Sequence, residues 1–130
     1  MKKINSIYVV DDDKIYHFLL KNLMKQNGIE ADLSFFINGQ DAIDHIKNNN
    51  SAHLLPDFIF LDVNMPIMDG WQFLEEYVKF EGELANKPTI YMISSSNNEV
   101  DINRAKAFDG AVMGYFLKPI CKEDLLKIFA

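Results

Sequence analysis

Near its amino terminus the chain reads Ile7-Tyr8-Val9-Val10-Asp11-Asp12-Asp13, an apolar run followed at once by three acids. The segment Phe58-Ile59-Phe60-Leu61-Asp62 repeats this pattern in the middle of the chain. Short continuous apolar runs are typical of strands that are covered on both faces. Acids crowded together at strand ends repel one another, so the fold must raise their pKa values or place a cation between them. The two segments therefore predict a divalent-metal site where two buried strands end.

The rest of the chain alternates short apolar runs with amphipathic segments. Further strands are predicted at 31–37, 89–93 and 115–117, and a helical pattern follows each strand. The first helix, predicted over 14–27, carries two adjacent apolar rows that form a broad stripe, namely Ile15, Leu19, Leu23 and Tyr16, Leu20, Met24. The helix after the third strand is expected to point Trp71, Leu74, Tyr77 and Val78 inward. Five strands alternating with five helices predict an α/β fold with a parallel sheet between helices, since parallel strands need crossovers.

Length, charge and composition limit the classes of protein that the sequence can represent. The 130 residues, 48% of them hydrophobic, fit one globular domain over 1–130. A net charge of −6 argues against direct nucleic-acid binding, which needs clustered Lys and Arg. Neither a signal peptide nor a membrane span is predicted, because the first apolar run is short and is broken by acids. The single Cys121 has no disulfide partner in the chain, which fits a reducing, cytoplasmic setting.

Polar residues follow four of the predicted strands. They are Asp11 to Asp13 after the first strand, Asp62 after the third, Ser94 after the fourth and Lys118 after the fifth. In open parallel sheets, ligands bind outside the carboxyl ends of the strands. Carboxylate oxygens suit Mg²⁺, which commonly binds through one or two carboxylates together with a phosphate oxygen. A hydroxyl and an ammonium beside them would complete a cradle for a phosphoryl group.

Four motifs occur in order at these strand ends, which are Val9-Val10-Asp11-Asp12-Asp13, Leu61-Asp62-Val63-Asn64-Met65-Pro66-Ile67-Met68-Asp69-Gly70, Ser94-Ser95 and Gly114-Tyr115-Phe116-Leu117-Lys118-Pro119. Together they resemble the receiver domain of two-component response regulators, such as the chemotaxis receiver. The similarity covers the whole chain. It implies a flavodoxin-like, doubly wound (βα)5 fold with strand order 2-1-3-4-5, and a stand-alone receiver.

The resemblance also implies a role for each residue at the metal site. Asp62 would be the phosphoacceptor, and Asp11 and Asp12 would be the metal-binding pair, with Asp12 as the direct ligand. Asn64 would offer its backbone carbonyl to Mg²⁺. Its side chain would lie at the mouth of the site and, with that of Ser96, would help to set the lifetime of the phosphoryl group.

A second set of implied roles concerns switching. The Ser94 hydroxyl and the Lys118 ammonium would contact phosphoryl oxygens, and Tyr115 occupies the position of an aromatic switch. The surface of the fourth helix, fifth strand and fifth helix would then change and bind a downstream protein. The phosphoryl donor would be a sensor histidine kinase, a histidine phosphotransfer protein or a small acyl phosphate. The protein would be a monomer or a weak phosphorylation-dependent homodimer, and would catalyse only its own phosphorylation and dephosphorylation.

Other interpretations of these residues remain open. Asp13 or Asp12 could cap the first helix, and this interpretation is preferred for Asp13. Ser94 could be a capping hydroxyl, and Tyr115 could be an ordinary packed aromatic. A Mg²⁺-dependent phosphohydrolase with an aspartate nucleophile would need a second acid where the chain has Asn64. A flavin binder would need a phosphate loop rich in Ser, Thr or Gly after the first strand, where the chain has acids. A receiver-like binding module that works without phosphorylation is the remaining alternative.

Overall fold

The computed structural model describes residues 6–51, 54–95, 98–108 and 110–129 of the chain. Five strands alternate with five helices in this part, and a short 3₁₀ turn follows the third helix at Glu81–Glu83. In chain order the elements are β1 (Ser6–Val10), α1 (Lys14–Gln26), β2 (Asp32–Phe36), α2 (Gly39–Asn48), β3 (Phe58–Leu61), α3 (Gly70–Phe80), β4 (Thr89–Ser94), α4 (Glu99–Lys106), β5 (Val112–Leu117) and α5 (Lys122–Phe129). The predicted alternation is confirmed.

The strands form one parallel sheet in the order β2-β1-β3-β4-β5. This confirms the doubly wound α/β fold and the strand order 2-1-3-4-5. In the sheet register, Val10 of β1 pairs with Phe36 on one side and with Leu61 on the other. The acids that follow Val10 and Leu61 are therefore placed side by side at the carboxyl edge of the sheet.

Helices cover both faces of the sheet, which explains the unbroken apolar runs. Successive side chains of a strand point to opposite faces. Tyr8 and Val10 accordingly belong to a core shared with α2 and α3, whereas Ile7 and Val9 belong to a core shared with α1 and α5. A strand buried on both faces has no polar side, so its sequence does not alternate.

The buried faces of α1 and α3 differ in part from those that the sequence predicts. In α1 the row Tyr16, Leu20, Met24 is buried, but Ile15 and Leu19 of the neighbouring row are 72% and 57% exposed. Rows offset by one residue are turned by about 100° around the helix axis, and α1 directs only the row that contains Tyr16 fully toward the sheet. In α3 the predicted Trp71, Leu74 and Tyr77 are buried, but Val78 is exposed and Phe73 is buried instead.

Candidate functional site

The backbones of β1 and β3 bring Asp11 and Asp62 together. The Asp11 amide donates to the Phe36 carbonyl at 2.8 Å, and the Asp62 amide donates to the Val10 carbonyl at 2.9 Å. The ladder of the sheet thus continues one residue past the apolar runs and fixes both acids at its edge. Both side chains are buried, whereas Asp12 is exposed. One carboxylate oxygen from each of the three acids lies within 4.8 Å of the others.

Lys118 reaches this cluster from the end of β5. Its amide donates to the Ser94 carbonyl at 2.8 Å, which ties the ends of β4 and β5 together. Its ammonium nitrogen lies 2.5 Å from Asp11 Oδ2 and 3.5 Å from Asp62 Oδ2. The cation predicted from the end of the fifth strand is therefore in direct contact with the buried acids.

Burial and the charges of the cluster shift the pKa values of Asp62 and Lys118. Burial, and then the negative charge of Asp11, raise the pKa of Asp62 from an ordinary value of 3.8 to about 6. The Lys118 charge and the Val63 amide, which donates to Asp62 Oδ1 at 2.8 Å, oppose this shift only in part. Burial lowers the pKa of Lys118, but its hydrogen bond to Asp11 and the charges of both acids outweigh burial and raise it.

The donor set fits a hard divalent cation. Three carboxylates face one ammonium, so the cluster carries excess negative charge, and burial makes that charge costly. An open depression of about 430 Å³ lies beside it and is lined by Asp12, Asn64, Met65, Pro66 and Asp69. Mg²⁺ keeps several of its waters and binds proteins through few carboxylates, so an open face is what it requires.

Gly70 allows α3 to begin directly against the end of β3. Its amide donates to the Val63 carbonyl at 2.9 Å. A Cβ atom at this position would lie 2.3 Å from the Asp62 carbonyl oxygen and 3.1 Å from Val63 Cα. Asp69 and Gln72 cap the helix reciprocally, through hydrogen bonds of 2.8 and 2.9 Å. The absence of a side chain at Gly70 therefore lets the start of α3 lie against the backbone of the buried acid.

The remaining residues of the predicted site occupy separate places around the cluster. Ser94 is fully buried at the end of β4, and Asn64 is exposed at the rim of the depression. Tyr115 is half-buried in β5 and packs against the core of the α2 and α3 face. Asp13 caps α1, because its Oδ1 accepts from the amides of Ile15 and Tyr16 at 3.0 and 3.2 Å. Ser96 lies outside the described residues.

Sequence reasoning missed Tyr16 as a neighbour of the site. Its ring is buried on the first turn of α1, and the Lys118 ammonium nitrogen lies 4.5 Å from the ring centroid. Burial, and then the charges of Asp11 and Asp62, raise the pKa of Tyr16, so its phenol is neutral. In the sequence Tyr16 is one member of an apolar row, and no local signal links it to a lysine about a hundred positions later.

Comparisons with known proteins agree with this geometry. The sequence model of the response regulator receiver domain matches residues 7–130, and the chain belongs to this family. Protein PilG of Pseudomonas aeruginosa is 32% identical over 123 residues, which cover 92% of this chain and 81% of that protein. The crystal structure of a two-component response regulator from Cytophaga hutchinsonii superimposes with a TM-score of 0.87 at 28% identity and covers 98% of this chain and 96% of that one.

Some relatives are far longer than this chain. Hybrid signal transduction histidine kinase L of Dictyostelium discoideum is 30% identical over 127 residues, which are 98% of this chain but 7% of that protein. Receiver domains bind Mg²⁺ at an acidic pocket and interact with histidine kinases and downstream targets. The family takes part in phosphorylation-based signalling and is not a family of classical enzymes. Across the described ranges, no helix has the length and apolarity needed to cross a membrane.

Proposed function

We propose that residues 1–130 form one receiver domain that accepts a phosphoryl group on Asp62. The donor is a phosphohistidine of a histidine kinase or phosphotransfer protein, or a small acyl phosphate. One observation carries the proposal. The Asp62 carboxylate is held by the Val63 amide on Oδ1 and lies 3.5 Å from the Lys118 ammonium on Oδ2, beside two further acids within metal-binding reach.

The transfer forms one bond and breaks one bond. An Asp62 oxygen attacks the phosphorus, the P–N bond to the donor imidazole breaks, and its electron pair stays on that ring nitrogen. A carboxylate is a competent nucleophile when it is positioned in line and the charge of the phosphoryl group is neutralised. Asp11, Asp12, Asp62 and the Asn64 carbonyl would hold Mg²⁺, which supplies most of that neutralisation when bound.

Lys118 supplies the protein's own share of charge stabilisation. Its ammonium already lies between Asp11 and Asp62 in this structure. When Asp62 becomes an acyl phosphate its carboxylate charge disappears, and the negative charge moves to the phosphoryl oxygens. Lys118 then pairs with one of these oxygens, and the Ser94 hydroxyl donates to another. Charge-assisted hydrogen bonds of this kind are roughly twice as strong as neutral ones.

The proposed conformational switch begins with the movement of Ser94. Drawing its hydroxyl toward a phosphoryl oxygen pulls the end of β4 and the chain after it inward, and this opens space for Tyr115 to turn. The affected surface is formed by α4, β5 and α5. Ala105 is the only described residue of α4 that is fully buried, so moving this helix breaks little packing.

The phosphoryl group is later lost by attack of water on phosphorus, which returns the Asp62 carboxylate and inorganic phosphate. Asn64 lies at the open mouth through which this water would arrive. We assign it, together with Ser96, an influence on the lifetime of the phosphorylated state. In this proposal the chain catalyses only its own phosphorylation and dephosphorylation.

Intact-protein mass spectrometry after incubation with Mg²⁺ and acetyl phosphate tests the proposal. The wild type and the control Asp44→Asn, an exposed aspartate of α2, should gain the mass of one phosphoryl group. Asp62→Asn, and wild type treated with EDTA, should gain nothing. A gain that persists in Asp62→Asn would overturn the assignment. Absence of any gain from acetyl phosphate and from a phosphohistidine donor, with Mg²⁺ bound, would point to the module that works without phosphorylation.

A further inference from the structure

The Lys118 ammonium has two kinds of neighbour among the described residues. Asp11 and Asp62 are carboxylates whose attraction for the ammonium changes when a metal binds between them or when Asp62 is phosphorylated. The ring of Tyr16, 4.5 Å away, is a neighbour whose charge does not change. The ring is fixed, because Tyr16 is 7% exposed and packs into the core of α1 and α5. The first turn of α1, which carries this ring, is stabilised by the N-cap Asp13, because the Asp13 side chain accepts a hydrogen bond from the Tyr16 amide.

A lysine at the carboxyl edge of the sheet needs a contact that restrains the position of its ammonium. Its ammonium is a point charge on a flexible four-carbon stem, so the contacts around it decide where it lies. An aromatic face attracts a cation through its quadrupole, and this attraction is stronger where water is excluded. Unlike a carboxylate, the face is a weak hydrogen-bond acceptor. It therefore holds the ammonium without occupying the N–H groups that a phosphoryl oxygen must use.

We propose that Tyr16 is a positioning residue whose ring holds the Lys118 ammonium beside Asp62 while metal binding and phosphorylation change the attraction that Asp11 and Asp62 exert on it. This inference rests on the proposed function, since its consequence is faster phosphoryl transfer to Asp62. The Tyr16 hydroxyl is buried without a hydrogen-bond partner among the described residues. The ring face, rather than the hydroxyl, is thus the part of Tyr16 that acts on Lys118.

Three variants separate the ring from the hydroxyl and from helix packing. Tyr16→Leu removes the aromatic face, and Tyr16→Phe keeps it without the hydroxyl. Leu20→Val weakens the same core one turn later in α1 and leaves the ring in place. Each is made in the wild type and in Lys118→Met, and the rate of phosphorylation by acetyl phosphate at saturating Mg²⁺ is measured beside the thermal midpoint.

The expected results form a double-mutant cycle. Tyr16→Leu should slow phosphorylation about tenfold, equivalent to about 1.4 kcal/mol, whereas Tyr16→Phe and Leu20→Val should stay within about twofold of the wild type. In the Lys118→Met background, Tyr16→Leu should lower the phosphorylation rate by less than about a further twofold, because the ammonium that the ring contacts is absent. An equal loss in both backgrounds, or an equal loss in Leu20→Val or Tyr16→Phe, would overturn the proposal.

A spectroscopic readout keeps this test apart from the proposed function. In protein labelled with ¹³C-lysine, the ε-methylene protons of Lys118 should be shifted to high field by the Tyr16 ring, with and without Mg²⁺. The shift should persist in Tyr16→Phe and vanish in Tyr16→Leu. If the wild type takes no phosphoryl group, the proposed function fails while this shift still reports on Lys118. Loss of the wild-type shift on adding Mg²⁺ would show that the ring does not hold the ammonium.

Discussion

Asp62 lies in surroundings that oppose its ionised form. It is buried beside a second buried acid, and one ammonium shared between them does not offset both effects, since the pKa of Asp62 is raised to about 6. The carboxylate that we propose as the nucleophile is therefore held in an electrostatically unfavourable state. A divalent cation or the loss of charge on phosphorylation relieves that state, so ligand binding and phosphorylation are both coupled to the stability of the fold.

The raised pKa predicts how stability changes with pH in metal-free buffer. Because Asp62 holds its proton more tightly in the folded protein, its contribution to the free energy of unfolding is greatest below about pH 4 and is lost as the pH rises through about 6. A shift of this size corresponds to at most about 3 kcal/mol, and solvent at a partly open site lowers the expected loss to about 1 kcal/mol. Asp62→Asn should lack this loss.

Urea unfolding in EDTA at pH 4 and pH 7 measures the effect. The control Asp44→Asn should follow the wild type, so that the difference between the two pH values is specific to the buried acid. Parallel pH dependence in the wild type and Asp62→Asn would contradict the prediction. Saturating Mg²⁺ at pH 7 should restore stability to the wild type by mass action, and should do so less in Asp62→Asn.

At the start of α1, two neighbouring aspartates make different contacts. Asp13 accepts two amide hydrogen bonds of the first turn, and its backbone amide donates to Asp11 Oδ1 at 2.9 Å. Asp12 is exposed and contributes an oxygen to the acid cluster. Asp13 therefore stabilises the helix, and Asp12 belongs to the acid cluster that we propose as the Mg²⁺ site.

Replacing each of these aspartates by alanine should give opposite results. Asp13→Ala should lower the free energy of unfolding by about 1 kcal/mol, the usual cost of losing an N-cap, and should leave Mg²⁺ affinity nearly intact. Asp12→Ala should weaken Mg²⁺ binding at least about tenfold, because a charged ligand is lost, and should cost little stability. Chemical denaturation and isothermal titration with Mg²⁺ on the same samples decide the matter. Equal effects of the two substitutions on Mg²⁺ affinity would contradict this division.

The start of α3 depends on a glycine for a steric reason. Gly70→Ala should destabilise the protein by about 2 kcal/mol or more, since its new Cβ would overlap the Asp62 carbonyl oxygen and the surrounding backbone must move. The matched control is Gly82→Ala, where a Cβ would meet nothing within 4 Å. Thermal and denaturant unfolding of both variants measure the difference. A Gly70→Ala variant as stable as Gly82→Ala would show that the backbone next to Asp62 yields easily.

At the scale of the whole molecule, the sequence predicted the features that are set by strand ends. Apolar runs mark strands buried on both faces, and a parallel sheet brings their carboxyl ends to one edge, so the meeting of Asp11, Asp62 and Lys118 followed from topology. The outward direction of Ile15 and Leu19 did not follow, because periodicity gives the width of an apolar stripe but not which part the sheet covers. The contact between Tyr16 and Lys118 depends on how α1 lies over the end of β5, which no local pattern records.

Packing is unevenly distributed between the helices. In α2 the residues Ala42, Ile43 and Ile46 are all buried, whereas in the described part of α4 only Ala105 is, and Val100 is 69% exposed. Arg104 links α4 to α3 through the Trp71 ring at 4.9 Å and Glu75 at 3.7 Å, and the side chains of Arg104 and Glu75 are 49% and 57% exposed. The free energy needed to open a segment locally is lower where the segment buries fewer apolar contacts. We therefore expect α4 to be the helix that opens most easily.

Amide hydrogen exchange tests whether α4 opens easily and whether phosphorylation changes the α4, β5 and α5 surface. In the unphosphorylated protein, amides of α4 should exchange faster than those of α2. With Mg²⁺ and excess acetyl phosphate present throughout labelling, exchange should change in α4, β5 and α5, while α2 stays as it was. Asp62→Asn under the same conditions should show no change in these three elements. If phosphorylation altered exchange only between Asp62 and Gly70, the phosphoryl group would be bound without reaching the α4, β5 and α5 surface, and partner recognition would have to occur at the site itself.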